Sequence, residues 1–309
     1  MTSPAQSSSG LPEAMPLPLE QIQIRDPFVV PVAAERAYYL FGSTDTNIWA
    51  GAGTGFDCYR STDLALWDGP VPAFRPPADF WSDRQFWAPE CYEYGDRWFL
   101  FATFGTEDRR GTQILVADRP EGPYTPWSDG PVTPHEWLCL DGSLHVDRAG
   151  RPWMVFCHEW VQCADGEICA IELSPDLSRP VGDPHVLFHA STAPWARPIG
   201  PVPNTDPPVP QYVTDGPYLH RAPDGSLLML WSSWGANGYA MGVARSTSGD
   251  VTGPWEHRPE ALWGRDGGHG MTFESFDGRL WLTFHAPNDT PRERAHFYPV
   301  SRDLSVLLS

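Results

Sequence analysis

Asp26-Pro-Phe-Val-Val, returning as Ala37-Tyr-Tyr-Leu-Phe, is the first of five segments in which an acidic residue or a histidine opens a short apolar-aromatic run that turns and comes back. The others are Glu90-Cys-Tyr-Glu-Tyr with Trp98-Phe-Leu-Phe, Asp141-Gly-Ser-Leu-His-Val with Pro152-Trp-Met-Val-Phe, Asp215-Gly-Pro-Tyr-Leu with Leu227-Leu-Met-Leu-Trp, and His269-Gly-Met-Thr-Phe with Leu280-Trp-Leu-Thr-Phe. Each reads as a β-hairpin. Their openings lie 64, 51, 74 and 54 residues apart, the loose period of a propeller or a similar array. A further strand running into a tight turn follows each hairpin, as in Tyr59-Arg-Ser-Thr-Asp-Leu and Ile168-Cys-Ala-Ile-Glu-Leu-Ser-Pro-Asp-Leu. The pattern predicts an all-β fold: a five-bladed β-propeller of four-stranded antiparallel blades around a central channel. One such domain is expected over residues 22–309, preceded by a loose polar arm at 1–21. Asp26, Glu90, Asp141, Asp215 and His269 would then meet at one mouth.

Composition narrows the partners. A formal net charge of −18 lacks the basic footprint that nucleic acid or an anionic membrane demands. The first 21 residues carry no basic residue and no apolar run of export-signal length, which points to neither a signal peptide nor an anchor and to a cytoplasmic protein. Six cysteines, none in the paired spacing of a zinc motif, are expected as reduced, mostly buried thiols. Oligomeric state is not legible.

Several carboxyl groups at one mouth raise one another's pKa and oppose folding, so the cluster calls for a ligand or for chemistry. Glycoside hydrolysis fits. One carboxylic acid protonates the leaving oxygen, an ionised partner activates water, and neighbouring charges set the two pKa values apart. Any one of these aspartates alone reads as a turn former; their recurrence is what argues for a site. Sugars also need flat apolar faces, for which Phe86, Trp87 and Trp160 lie near the mouth, with Trp49, Trp195 and Trp234 in the connections. The long connection 189–213 is expected to wall one side of the pocket.

The stretches Arg25-Asp26-Pro27-Phe28-Val29, Ser61-Thr62-Asp63-Leu64, Phe86-Trp87-Ala88-Pro89-Glu90, Asp141-Gly142-Ser143-Leu144, Thr214-Asp215-Gly216-Pro217-Tyr218, Gly268-His269-Gly270 and Pro287-Asn288 through Glu293-Arg294, in this order, resemble glycoside hydrolase family 43. The resemblance spans about residues 22 to 305. It implies a propeller acting on arabinofuranosides, xylosides and related sugars. By position it makes Asp26 the general base, Asp141 the modulator of the acid's pKa, and Asp215 the general acid. It makes Arg294 an active-site arginine and His269 an axial ligand of a divalent cation, often calcium, in the channel. The family most often has Glu-Gly-Pro where this chain has Asp215-Gly-Pro, one methylene shorter, so Glu90 stands as a rival proton donor or a support of the pocket wall. The expectation is an inverting, exo-acting α-L-arabinofuranosidase working on short oligosaccharides. β-Xylosidase, β-D-galactofuranosidase and a catalytically silent carbohydrate-binding propeller are the alternatives.

Overall fold

The computed structural model describes residues 15–46 and 48–308. Five antiparallel sheets surround a common axis. The first has five strands, one of them a short outer addition, and the next three have four; their innermost members are Arg25–Val32, Arg84–Tyr94, Cys139–Val146 and Asp215–Arg221. The fifth is built on Gly268–Glu274, Leu280–Ala286 and Arg294–Pro299. Its outer edge is met by the N-terminal segment, where Gln23 bridges Arg294 and the Ile24 amide donates to the Glu293 carbonyl at 3.3 Å. First and last blades are thereby tied together.

The arm expected to be loose through residue 21 is bound from Leu17 onward. Leu17–Pro18 pairs with Leu66 and Trp67 on the outside of the first blade, and Leu19–Gln21 forms a 3-10 turn. Residues 1–14 of that arm lie outside the described residues.

Middle strands such as Ala37–Ser43 and Pro152–His158 are buried at every position because neighbouring blades cover both their faces. That is why they read as unbroken apolar runs and not as alternation. Between the first and second blades Phe56, Phe74, Phe80, Phe86 and Phe104 pack together, Phe86 meeting Phe80 and Phe104 edge to face, with Phe86 and Phe104 centroids 4.8 Å apart. Phe86, expected against sugar, is a core residue at 1% exposure. Phe86→Ala should therefore cost about 3–5 kcal/mol in denaturant unfolding while leaving KM unchanged; a raised KM with stability intact would contradict that placement.

One irregularity recurs at the mouth of every blade. The ladder of the innermost strand jumps from Arg25 to Phe28, Trp87 to Glu90, Leu140 to Ser143, Asp215 to Tyr218 and Gly268 to Met271. The first residue inside each jump is left-handed: Asp26 at φ 54°, Ala88 at 45°, Asp141 at 57°, Gly216 at 49° and His269 at 52°. Bulges of this kind re-aim side chains at the ends of sheets. Non-glycine residues held there cost on the order of 1–3 kcal/mol each and persist only where the surroundings hold them.

The preceding blade supplies that hold. The Ala88 amide donates to Ser43 Oγ at 2.9 Å, Asp141 to Thr103 Oγ1 at 2.8 Å, His269 to Ser232 Oγ at 2.8 Å and Asp26 to His285 Nδ1 at 3.2 Å. The acceptors occupy one equivalent place, opposite the residue before each jump. In the third blade that place is Cys157, opposite Leu140, and the Gly216 amide turns instead to Asp141 Oδ2 at 3.0 Å. Asp141 is thus fixed by the blade that carries Asp215.

This register corrects the expected equivalence of the five openings. Asp26, Asp141 and His269 do occupy the same position, but Asp215 falls one residue before it and Glu90 two residues after.

Candidate active site

The residues just before the jumps floor a cavity of about 850 Å³: Arg25, Trp87, Leu140 and Asp215, with Asp26 and Asp141 beside them. The fifth such position is Gly268, where a Cβ would lie 2.6 Å from the Tyr239 ring. Its walls include Ile48 and Trp49, Glu159 and Trp160, Trp234, and Asn288 through Thr290. The connection 189–213 forms one side through Arg197, Pro198, Ile199 and Val213, as expected.

At the centre stands His269. Its Nδ1 lies 3.2 Å from Asp26 Oδ1, 3.3 Å from Asp215 Oδ1 and 3.6 Å from Asp141 Oδ2. Burial opposes its charge, but Asp26, Asp141 and Asp215 outweigh burial and push it up to about 10. The three carboxylates thus favour its imidazolium form at neutral pH.

Burial works equally against an ionised Asp26, yet His269 and then Arg25 hold its carboxyl below the usual carboxylate range. Ser43 Oγ donates to its Oδ2 at 2.8 Å. Asp141 goes the other way: burial first, then the charge of Asp215, push it well above the usual range. Asp215, against its own burial, is held low by the hydrogen bond from Asp141 and by His269. The opposed shifts favour the pair's proton on Asp141, in its hydrogen bond to Asp215. Of the pair, Asp215 faces the cavity, its side chain 19% exposed against 4% for Asp141. Tyr239 donates to Asp215 Oδ2 at 2.5 Å.

Glu90 lies beneath this floor and does not line the cavity. Tyr92 donates its hydroxyl to Glu90 Oε2, but burial dominates and pushes the carboxyl up to about 7. Because this folded value exceeds the ordinary 4.5, the stabilisation of the neutral form is complete below about pH 4.5 and is lost as pH rises to about 7. Relative to Glu90→Gln, which cannot ionise, the wild type should lose on the order of 3 kcal/mol between pH 4.5 and pH 8. Parallel urea titrations of the two proteins across that window would show it, and parallel pH curves would refute it.

Arg294 is not in the cavity. Its guanidinium donates to the carbonyls of Glu20, Pro291 and Glu293, sealing the N-terminal segment. The arginine of the site is Arg25, buried beside Asp26 at 3.6 Å and Glu293 at 3.5 Å, donating to Asn288 Oδ1 and covered by the Trp49 ring at 5.0 Å. The stretch Asn288 through Glu293 serves the site by holding Arg25. Trp87 and Trp160 reach the cavity, as do Trp49 and Trp234, whereas Trp195 is core. The Trp87 indole donates to the Ile48 carbonyl at 2.6 Å, and Arg110, paired with Glu159, lies 4.8 Å from its ring. Tyr239, Arg25 and Glu159 escaped the sequence reading; the position of Arg25 next to Asp26 was the one local signal.

Asp141, Asp215 and His269 offer ligand atoms within 4.8 Å of one another, and Asp26 Oδ1 and His269 Nδ1 are buried without a hydrogen-bond partner among the described residues. Such a donor set fits a divalent cation. No helix among the described residues is long and apolar enough to cross a membrane.

Comparison with known proteins gives a coherent set. The model of the family described as "Glycosyl hydrolases family 43" matches residues 16–306. An extracellular exo-alpha-(1->5)-L-arabinofuranosidase of Cellvibrio japonicus is 24% identical over 300 residues, 86% of this chain and 80% of that protein. The crystal structure of an endo-arabinase from Bacteroides thetaiotaomicron is 42% identical and covers 94% of this chain and 98% of its own, with a TM-score of 0.84. An endo-1,4-beta-xylanase structure from the same species is 22% identical over 93% and 95% of the two chains, TM-score 0.72, and shows the fold alone. The Cellvibrio protein's name places that relative outside the cell and lends no support to a cytoplasmic location.

Proposed function

The chain belongs to glycosyl hydrolase family 43, and from that premise we propose an inverting, exo-acting α-L-arabinofuranosidase that trims terminal furanosyl residues from short oligosaccharides. The observation that carries this reading is the grouping of Asp26, Asp141 and Asp215 around one imidazolium on the floor of a cavity walled on several sides. A cavity of about 850 Å³ lies within the range of ordinary small-ligand sites and holds a sugar with one or two neighbours. The arabinan-directed names of the two relatives support the sugar class.

In this reading ionised Asp26 takes a proton from water as the water oxygen attacks the anomeric carbon. The glycosidic bond breaks, and the leaving oxygen takes the proton that Asp141 and Asp215 share, delivered by Asp215 because it faces the cavity. The products carry one added water and an inverted anomeric centre. The nearest Asp26 and Asp215 oxygens are 3.2 and 3.3 Å from the same nitrogen and so no more than 6.5 Å apart, the lower edge of the inverting range of about 6.5–9.5 Å. Inversion therefore requires the Asp215 carboxyl to swing off His269 toward the cavity when sugar and water enter.

A divalent cation, calcium by the family resemblance, would be held by Asp141, Asp215 and the neutral form of His269, taking the place of the imidazolium proton, and would supply positive charge beneath the carboxylates. Dialysis against a chelator is then expected to lower turnover and added calcium to restore it; turnover indifferent to both would remove the ion from the account.

A panel of aryl arabinofuranosides, xylosides and galactofuranosides, with NMR of the first-formed sugar, tests the function. Release from the xyloside or galactofuranoside alone would make the protein a β-xylosidase or a β-D-galactofuranosidase, and a retained anomer would remove Asp26 as base. A silent carbohydrate-binding propeller is the second reading. It is favoured by the hold of Tyr239 and His269 on Asp215, since both stabilise the ionised form of the proposed acid.

A further inference from the structure

On the rim of the third blade, outside the carboxylate cluster, three chemically different donors converge. His158, Cys163 and Glu167 offer a ring nitrogen, a sulfur and a carboxylate oxygen, all within 4.8 Å of one another. No paired spacing announces them in sequence. They are gathered because strand Pro152–His158 ends there, a single helical turn Trp160–Cys163 follows, and the chain returns as strand Glu167–Leu173 with His158 paired to Glu167.

Hydrogen bonding fixes the tautomer of His158. Gln162 donates its Nε2 to the Glu136 carbonyl at 2.9 Å and accepts the Leu138 amide on Oε1 at 2.8 Å, so Oε1 is an acceptor. His158 Nε2 lies 2.9 Å from that oxygen and must carry the hydrogen. In the neutral ring Nδ1 is then a lone pair, and it faces Glu167 Oε2 at 2.7 Å. Two electron-pair donors this close need a positive particle between them. A proton would suffice for those two alone. The sulfur of Cys163 makes a third donor that a proton does not require, and a metal-bound histidine ordinarily donates its other nitrogen to a fixed acceptor, as this one does to Gln162. The ring plane is held by stacking on Trp137 at 4.3 Å.

We propose that His158 Nδ1, Cys163 Sγ and Glu167 Oε2 bind a zinc ion. Nitrogen, sulfur and carboxylate oxygen together suit zinc and not calcium or magnesium. The fourth position falls to water or to His189, whose Nδ1 is 3.6 Å from Glu167 Oε1 on the exposed side. Binding displaces the thiol proton of Cys163, which passes to solvent. The ion would pin the turn whose first residue, Trp160, and its neighbour Glu159 line the sugar cavity. Zinc at this point stiffens one wall of the cavity without touching its floor.

The test is calorimetric titration of Zn²⁺ into the chelator-stripped full chain, beside Cys163→Ser and Gln162→Leu, with Co²⁺ as a spectroscopic probe. With calcium in excess to fill the channel site, one zinc per chain is expected. Its affinity should fall roughly 10–100-fold in Gln162→Leu, as for loss of a group that orients a ligand, and further in Cys163→Ser. Cobalt should give a thiolate charge-transfer band that Cys163→Ser abolishes. Zinc affinity and stoichiometry unchanged in Cys163→Ser would place the ion at the channel carboxylates and overturn the proposal, as would a wild type that shows no thiolate band with cobalt.

Discussion

Asp26→Asn is expected to reduce turnover of arabino-oligosaccharides and of p-nitrophenyl arabinofuranoside alike, each by roughly 10²–10⁴-fold. Water must be activated whatever group departs, so a good leaving group cannot compensate for the missing base. Asparagine is the right replacement because position 26 has φ 54°, and Asn is among the residues that tolerate left-handed backbone. It also keeps an oxygen to accept from Ser43 Oγ. Loss of activity can then be assigned to the proton acceptor and not to a collapsed bulge, provided the variant's thermal unfolding matches that of the wild type. An aryl glycoside turned over at the wild-type rate by Asp26→Asn would show that another group activates water.

Much of this arrangement was legible in the sequence, and what was not has a definite physical source. Hairpin periodicity identified five blades because each middle strand is buried on both faces and each opening carries a polar residue at the mouth. Outer turns were legible too: Ser61-Thr-Asp63-Leu64, Ser174-Pro-Asp176-Leu177 and Ser301-Arg-Asp303-Leu304 all end in a left-handed leucine, with the aspartate accepting amides of its own turn. Register at the mouth was not legible. A bulge inserts a residue without altering composition, and a shift of one residue exchanges the cavity for the core or the channel. Phe86 and Trp87 are adjacent aromatics, yet one is core and the other floors the cavity. Glu90 looked equivalent to Asp26 but stands two residues beyond that position, where the ladder resumes, which puts it beneath the floor. Arg294 and Arg25 exchanged places for a different reason: Arg294 closes the ring on the N-terminal segment, a contact between chain ends that no local pattern encodes. Tyr239, which comes from the far end of a hairpin to meet Asp215, carried no motif at all.

Asp215→Asn separates the enzyme from the silent propeller and the two proton donors from each other. If Asp215 delivers the proton, natural arabino-oligosaccharides, whose leaving sugar oxygen needs it, should be turned over roughly 10²–10⁴-fold more slowly. p-Nitrophenyl glycosides, with a leaving group that departs as an anion, should lose far less. The rival is Glu90, which burial holds partly protonated near neutral pH, with a pKa of about 7, and which on that ground alone is the better acid. Geometry favours Asp215 instead, because Glu90 is 4% exposed below the floor while Asp215 opens into the cavity. The shorter aspartate reaches the site from the residue before the bulge, one step ahead of Asp26 and Asp141, and shares the proton of a carboxyl pair that one isolated aspartate would not retain. Glu90→Gln should therefore change pH-dependent stability while sparing turnover. Natural-substrate turnover unchanged in Asp215→Asn but abolished in Glu90→Gln would reassign the donor to Glu90. A wild type that binds arabino-oligosaccharides and hydrolyses neither them nor any aryl glycoside would show that the hold of Tyr239 and His269 on Asp215 has left a binding module.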